Sequence, residues 1–263
     1  MQTAAVLAVL LIDWRTKQAF AVPVLMWAVM AASLVELYRL AAVSKPYTLW
    51  GLLSLTALAV GPWVNHLGVV GELEWAAATL IACLAGLFLL DWSQGGLERG
   101  LESMAVPLLG VLYLWGCLSF VARIEVLPGA GVAGVALLFA VAKGSDIAAY
   151  YVGTRLGRHR LAPRVSPKKS VEGAVGAFAA SLLIAAVVAR LFHIALSPVQ
   201  ALLFGAGVGL AAQAGDLAES LLKRKLRCKD SAQLLPGFGG VLDIADSLAG
   251  SAPVAYVIFR LLG

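Results

Sequence analysis

The sequence predicts an all-α, polytopic membrane protein of about nine membrane helices, the first of them short. Three observations support that fold class. Of the 263 residues, 61% are hydrophobic and 13% charged, with a mean hydropathy of +0.89; a soluble domain carries about 45–50% apolar and about 25% charged residues. The apolar residues form runs close to the roughly 20 that span a bilayer. The cations lie between the runs: of 20 Lys and Arg, six fall in 155–169 and five in 223–229. The net charge of +5 therefore reads as membrane orientation by the positive-inside rule, not as a nucleic-acid surface.

In chain order the spans are 19–37, 50–67, 75–92, 104–122, 131–153, 173–194 and 198–217; 3–12 is too short to cross unaided and 247–262 is marginal. The run 4–12 has no basic stretch before it and no convincing cleavage site after it, so it reads as a retained element rather than a signal peptide. Trp14, Trp50, Trp63, Trp75 and Trp92 fall at or near span ends, where interfacial aromatics are favoured. Two spans separate the two basic loops. An even number returns both loops to one face, cytoplasmic by the charge rule. The same count puts 38–49 inside and 13–18, with Arg15 and Lys17, outside, against the rule. Cys83, Cys117 and Cys228 form no close pair, so neither a disulfide framework nor a zinc site is expected. Glu36, the group Glu98, Arg99 and Glu102, and the histidines His66 and His193 lie near span ends and read as interfacial. Residues 1–130 are thus chemically quiet. The chemistry is expected in 131–263, with basic loops at 154–172 and 218–245.

Lys143 and Asp146 lie three residues apart within a span and so share a helix face. Either they neutralise each other for insertion, or Asp146 faces a polar cavity and helps position a cation or a phosphate-bound lysine. The first basic loop ends in Ser166-Pro167-Lys168-Lys169-Ser170-Val171-Glu172-Gly173. Ser170 is placed to cap the next helix, whose free N–H groups and positive dipole end suit a phosphate, with Lys168 and Lys169 as added point charges. The alternative is a topogenic loop that binds anionic headgroups. Residues 216–246 concentrate four Asp, one Glu and five basic residues between apolar flanks. Asp216, Glu219, Ser220 and Lys223 form one stripe if the helix continues. The run Pro236-Gly237-Phe238-Gly239-Gly240 allows close backbone approach, and Asp243 and Asp246 follow it three residues apart. Left unpaired in a bilayer, Asp216, Asp243 and Asp246 would be costly. Carboxylates converging from two segments are a normal way to hold Mg²⁺, whose other positions go to water and substrate phosphates. Alternatively, they neutralise the neighbouring lysines.

These residues resemble the carboxy-terminal signature of the phosphatidate cytidylyltransferase (CDP-diacylglycerol synthase) family, S-x-x-K-R-x(4)-K-D, a short spacer, then P-x-H-G-G-x-x-D-R-x-D. The chain carries Ser220, Lys223-Arg224, Lys229-Asp230, Pro236, Gly239-Gly240, Asp243 and Asp246 at matching spacings. Gly215-Asp216, Glu219, Asp146 with Tyr150, and the run 166–173 are also similar to the family, so the likeness covers residues 143–251. Two positions mark a divergent member. Phe238 stands where the family has His, and Ile244 where it has Arg, removing a donor-acceptor and a permanent cation. Altered nucleotide or lipid recognition, or reduced activity, is the implied consequence.

The resemblance implies a Mg²⁺-dependent nucleotidyltransferase of phospholipid biosynthesis that converts CTP and phosphatidate to CDP-diacylglycerol and pyrophosphate. It implies Asp216, Asp243 and Asp246 as metal-binding and catalytic carboxylates, with a second cation optional and Lys223 beside them. Ser166, Lys168, Lys169, Ser170, Glu172, Arg224, Lys229, Asp230, Gly239, Gly240 and Asp146 are the implied substrate-binding residues. The phosphatidate nucleophile is already anionic, so no general base is required. A bacterial inner-membrane location with the site facing the cytoplasm follows, and a homodimer is compatible with it. Two other classes stay open. One is a CTP-using membrane enzyme with another lipid acceptor, either an isoprenoid-lipid cytidylyltransferase or a lipid kinase. The other is a non-catalytic lipid-binding or transport protein.

Overall fold

The computed structural model describes residues 10, 12–13, 20–66, 68, 70–95, 101–226 and 240–262. Among them are eight helices: α1 Ala21–Leu40, α2 Lys45–His66, α3 Glu72–Ser93, α4 Glu102–Glu125, α5 Gly131–Leu156, α6 Val171–Leu191, α7 Pro198–Lys225 and α8 Val241–Leu262. Seven of them, all but α2, are long and apolar enough to cross a membrane. The structure therefore gives seven candidate spans among the described residues, short of the nine expected. Most of the 3–12 run lies outside those residues. The marginal 247–262 segment is a full 22-residue helix, because α8 begins at Val241 and takes Asp243 and Asp246 into its first turns.

Two further expectations are corrected. The helix expected to stop at 217 runs on to Lys225. Leu221 and Leu222 prolong its apolar character, and Lys223, Arg224 and Lys225 suit the negative end of its dipole. The fold is all-α, as expected, but the basic loop after α5 is not irregular. Arg160–Ala162 (β1) and Ser166–Ser170 (β2) form an antiparallel hairpin, with Arg160 opposite Ser170 and Ala162 opposite Ser166. Pairing satisfies backbone groups that a short connection between two spans would otherwise leave to water.

Helices α5 to α8 pack as one group and α1 to α4 as another, and α8 joins them by lying against both α4 and α1. Leu34, Leu114, Leu118, Leu137, Val141 and Ala252 are fully buried along this junction. Between α7 and α8 the backbones touch. A Cβ on Gly250 would lie 2.2 Å from the carbonyl oxygen of Ala211, and one on Gly215 would lie 2.6 Å from that of Asp246. Small residues at a helix crossing permit this close approach, and it occurs one residue before Asp216.

The quiet half is tied together by polar contacts. Buried Tyr38 donates to the carbonyl of Pro107 at 2.5 Å. Asp13, the one described residue of the expected outer segment 13–18, is buried and accepts from the N–H groups of Ala21 (3.0 Å) and Val22 (2.8 Å), closing the start of α1. Glu36, expected at the interface, is only 3% exposed. Its two oxygens accept from the N–H groups of Val241 and Leu242, each at 2.9 Å.

Candidate active site

The hairpin, the end of α5, the end of α7 and the start of α8 meet at one end of the bundle. The local chemistry of the hairpin accounts for its position. Ser170 caps α6 as expected, accepting from the N–H of Gly173 at 3.1 Å. The N–H of Val171 donates to the His159 carbonyl at 2.9 Å. Those two amides at the helix start are thus committed internally, which leaves the lysine side chains and serine hydroxyls of the hairpin to meet a phosphate. Glu172, expected to bind substrate, accepts from the N–H groups of Arg158 (3.0 Å) and His159 (3.2 Å) and lies 2.6 Å from His159 Nδ1. It ties β1 to α6. Arg224 Nε donates to the Val165 carbonyl at 3.2 Å, so this expected phosphate ligand fastens the hairpin turn to α7.

Behind the hairpin is a cavity of about 360 Å³. Six of the expected site residues line it: Ser166, Lys168, Lys169, Ser170, Asp146 and Asp216. Lys169 reaches across to pair with Asp216. Ala149, Ala174 and Leu217 form an apolar wall, and Tyr150 stands at its edge, 67% exposed. Gln213 also lines the cavity, with its Nε2 buried and lacking an acceptor. Nothing in the sequence marks Gln213 except its place one turn before Asp216, on the same helix face.

Of the remaining expected residues, Lys223, Asp243 and Asp246 belong to an adjoining charged cluster. Lys223 Nζ lies 2.7 Å from Glu219 on its own helix and 2.7 Å from Asp243 on α8. The other oxygen of Asp243 accepts from the N–H of Gly240 at 2.8 Å, a first-turn carboxylate closing its own helix start. Lys143 donates to Ser247 Oγ at 2.7 Å and stands 3.7 Å from Asp146 and 3.6 Å from Asp246. Lys143 thus lies beside Asp146, which also lines the cavity behind the hairpin. Lys229, Asp230 and Gly239, with the Phe238 departure, lie outside the described residues. The Ile244 departure sits in the first turns of α8, between the two aspartates.

Across these ion pairs, five carboxylates (Asp146, Asp216, Glu219, Asp243 and Asp246) face three ammonium groups (Lys143, Lys169 and Lys223). Among the described residues, no three His, Cys, Asp or Glu side chains are close enough to hold one metal ion in this conformation. The donor chemistry nevertheless fits a hard divalent cation. All five donors are carboxylates, and they outnumber the cations that balance them.

The model of the cytidylyltransferase family matches residues 1–262. The chain belongs to that family. The match reaches well beyond the 143–251 stretch that carries the motif resemblance and takes in the quiet half. The phosphatidate cytidylyltransferase of Brucella suis biovar 1 (strain 1330) is 39% identical over 182 residues, which is 68% of this chain and 63% of that protein. The phosphatidate cytidylyltransferase of Bacillus subtilis (strain 168) is 33% identical over 153 residues, covering 58% of this chain and 57% of that protein. An uncharacterized protein of Escherichia coli (strain K12) is 35% identical over 184 residues, covering 67% and 61%. The chain thus spans less than two thirds of the length of these family members.

Proposed function

We propose that this chain transfers the cytidylyl group of CTP to phosphatidate, releasing pyrophosphate. The supporting observation is the single cavity in which Ser166, Lys168, Lys169 and Ser170 gather with Asp146 and Asp216, beside an apolar wall. A triphosphate needs the cations and hydroxyls. A lipid acceptor needs the apolar wall, with the bilayer at its edge. The two named phosphatidate cytidylyltransferases are consistent with this choice of donor and acceptor.

In the proposed reaction a phosphate oxygen of the lipid attacks the α-phosphorus of CTP. The new oxygen–phosphorus bond forms as the bond from that phosphorus to the bridging oxygen breaks. The bonding electrons leave with pyrophosphate. The nucleophile is already anionic, so no proton moves, and the protein contributes position and charge. Lys169 would exchange Asp216 for a substrate phosphate, with Lys168 beside it. Lys223, fixed between Glu219 and Asp243, orients Asp243. Asp216, Asp246, Asp243 and the adjacent Asp146 are the groups that would hold Mg²⁺, which when bound offsets triphosphate charge. By the positive-inside rule, the hairpin end faces the cytoplasm of a bacterial inner membrane. The 3–12 run would add a further membrane segment.

Purified protein incubated with labelled CTP, Mg²⁺ and a panel of lipid acceptors tests this function. Label in CDP-diacylglycerol is the expected result. Ile244 favours a second reading, because it leaves the start of α8 without the cation of the family signature, next to where a headgroup would sit. Transfer to an isoprenoid-lipid phosphate and none to phosphatidate would select that reading. No CTP turnover with any acceptor would leave a lipid-binding protein.

A further inference from the structure

Outside the site, the buried charged group with the best-defined geometry is Glu36 of α1. Its carboxylate is 3% exposed and bidentate, with one oxygen on the N–H of Val241 and the other on the N–H of Leu242, each at 2.9 Å. The preceding amide, of Gly240, is taken by Asp243 at 2.8 Å. The first amides of a helix have no acceptor within the helix and carry its positive dipole end. The first two amides of α8 are held by a carboxylate from the opposite half of the chain, and the amide just before them by Asp243.

Two consequences follow. A bidentate grip fixes both the rotation and the axial position of the first turn. Asp243 is the next residue after Leu242, and Asp246 lies one turn further on. A helix start also attracts phosphate. Glu36 fills that seat with an internal anion, so substrate phosphates are left to Lys168 and Lys169. Glu36 is itself held in place, since Tyr38 two residues later is anchored on the Pro107 carbonyl at 2.5 Å. On its other side α8 is fixed against α7 where Gly215 meets Gly250. We propose that Glu36 is a positioning residue for the transfer reaction: it seats the start of α8 so that Asp243 and Asp246 face the site. The proposal rests on the cytidylyltransferase reading for its kinetic readout alone.

Glu36→Gln and Glu36→Ala, made in the full-length protein, test it against Tyr47→Phe. That control loses a hydrogen bond of 2.9 Å to Asp91, between α2 and α3, where Tyr47 packs with Cys83 and Leu87 of α3. Per folded enzyme, kcat is expected to fall about 10-fold for Gln and about 100-fold for Ala, with KM for CTP within about threefold of wild type. Amide hydrogen exchange at 241–246 should quicken in both variants and stay at the wild-type rate in Tyr47→Phe. Unchanged kcat per folded enzyme, with only the amount of folded protein reduced, would overturn the proposal. So would unaltered exchange at 241–246. Wild-type protein inert toward CTP refutes the activity, whereas unaltered exchange refutes the seat, so the two failures are told apart.

Discussion

Lys223 is the residue on which the charged cluster depends most. It lies 2.7 Å from both Glu219 and Asp243, and the Glu219 side chain is wholly buried. Lys223→Met would leave Glu219 buried without its counter-charge, at a cost of about 3–5 kcal/mol in unfolding measurements in detergent. Adding Glu219→Gln should recover most of that loss without restoring turnover. Asp243→Asn should lower turnover at least about 100-fold, the scale of removing one preorganised electrostatic group; near-normal turnover in this variant would remove Asp243 from the site. The aspartates were legible in the sequence because ionised groups in an apolar run are expensive. Their partners on other helices were not. Lys143 meets Asp246, and Lys169 meets Asp216, only once helices distant in the chain are side by side. Glu36 was hidden for the same reason, bonding to amides 205 and 206 positions away.

At the scale of elements, the contact of α7 with α8 leaves least room for change. Gly250→Val would drive a side chain onto the Ala211 carbonyl, 2.2 Å from the nearest possible Cβ, and should sharply reduce the yield of folded protein. Gly116→Ala in α4 meets nothing within 4 Å and should be tolerated, with a gain of up to about 1 kcal/mol from helix propensity and a stiffer unfolded chain. Thermal unfolding of the two variants side by side checks both outcomes. The helices themselves were legible, since length and apolar composition alone mark a span. The boundary of α7 and the start of α8 were obscured by the charges clustered there. The hairpin was obscured too, because strands of three and five residues, rich in Lys, Arg and Pro, are too short for an alternating pattern to show.

At the scale of the whole molecule, the proposed cation is tested through the site where five carboxylates face three lysines. Chelation with EDTA should abolish transfer, and Mg²⁺ should restore it. Helicity should stay constant throughout, because the contacts that hold the bundle together are apolar packing and protein-to-protein hydrogen bonds. Activity that survives exhaustive chelation would remove the cation from the mechanism. The concentration of charge in residues 131–263 was legible in the sequence. The contact between the halves was not, since α8 packs on α4 and α1 and Glu36 bonds to amides at the far end of the chain. The bond from Glu36 to the start of α8 also bears on what can be inherited separately. A segment starting at residue 131 would carry every aspartate of the site and yet lack the group that seats two of them. An exchange of segments at that boundary would therefore keep the seat of α8 only where the incoming first half brings its own carboxylate at position 36.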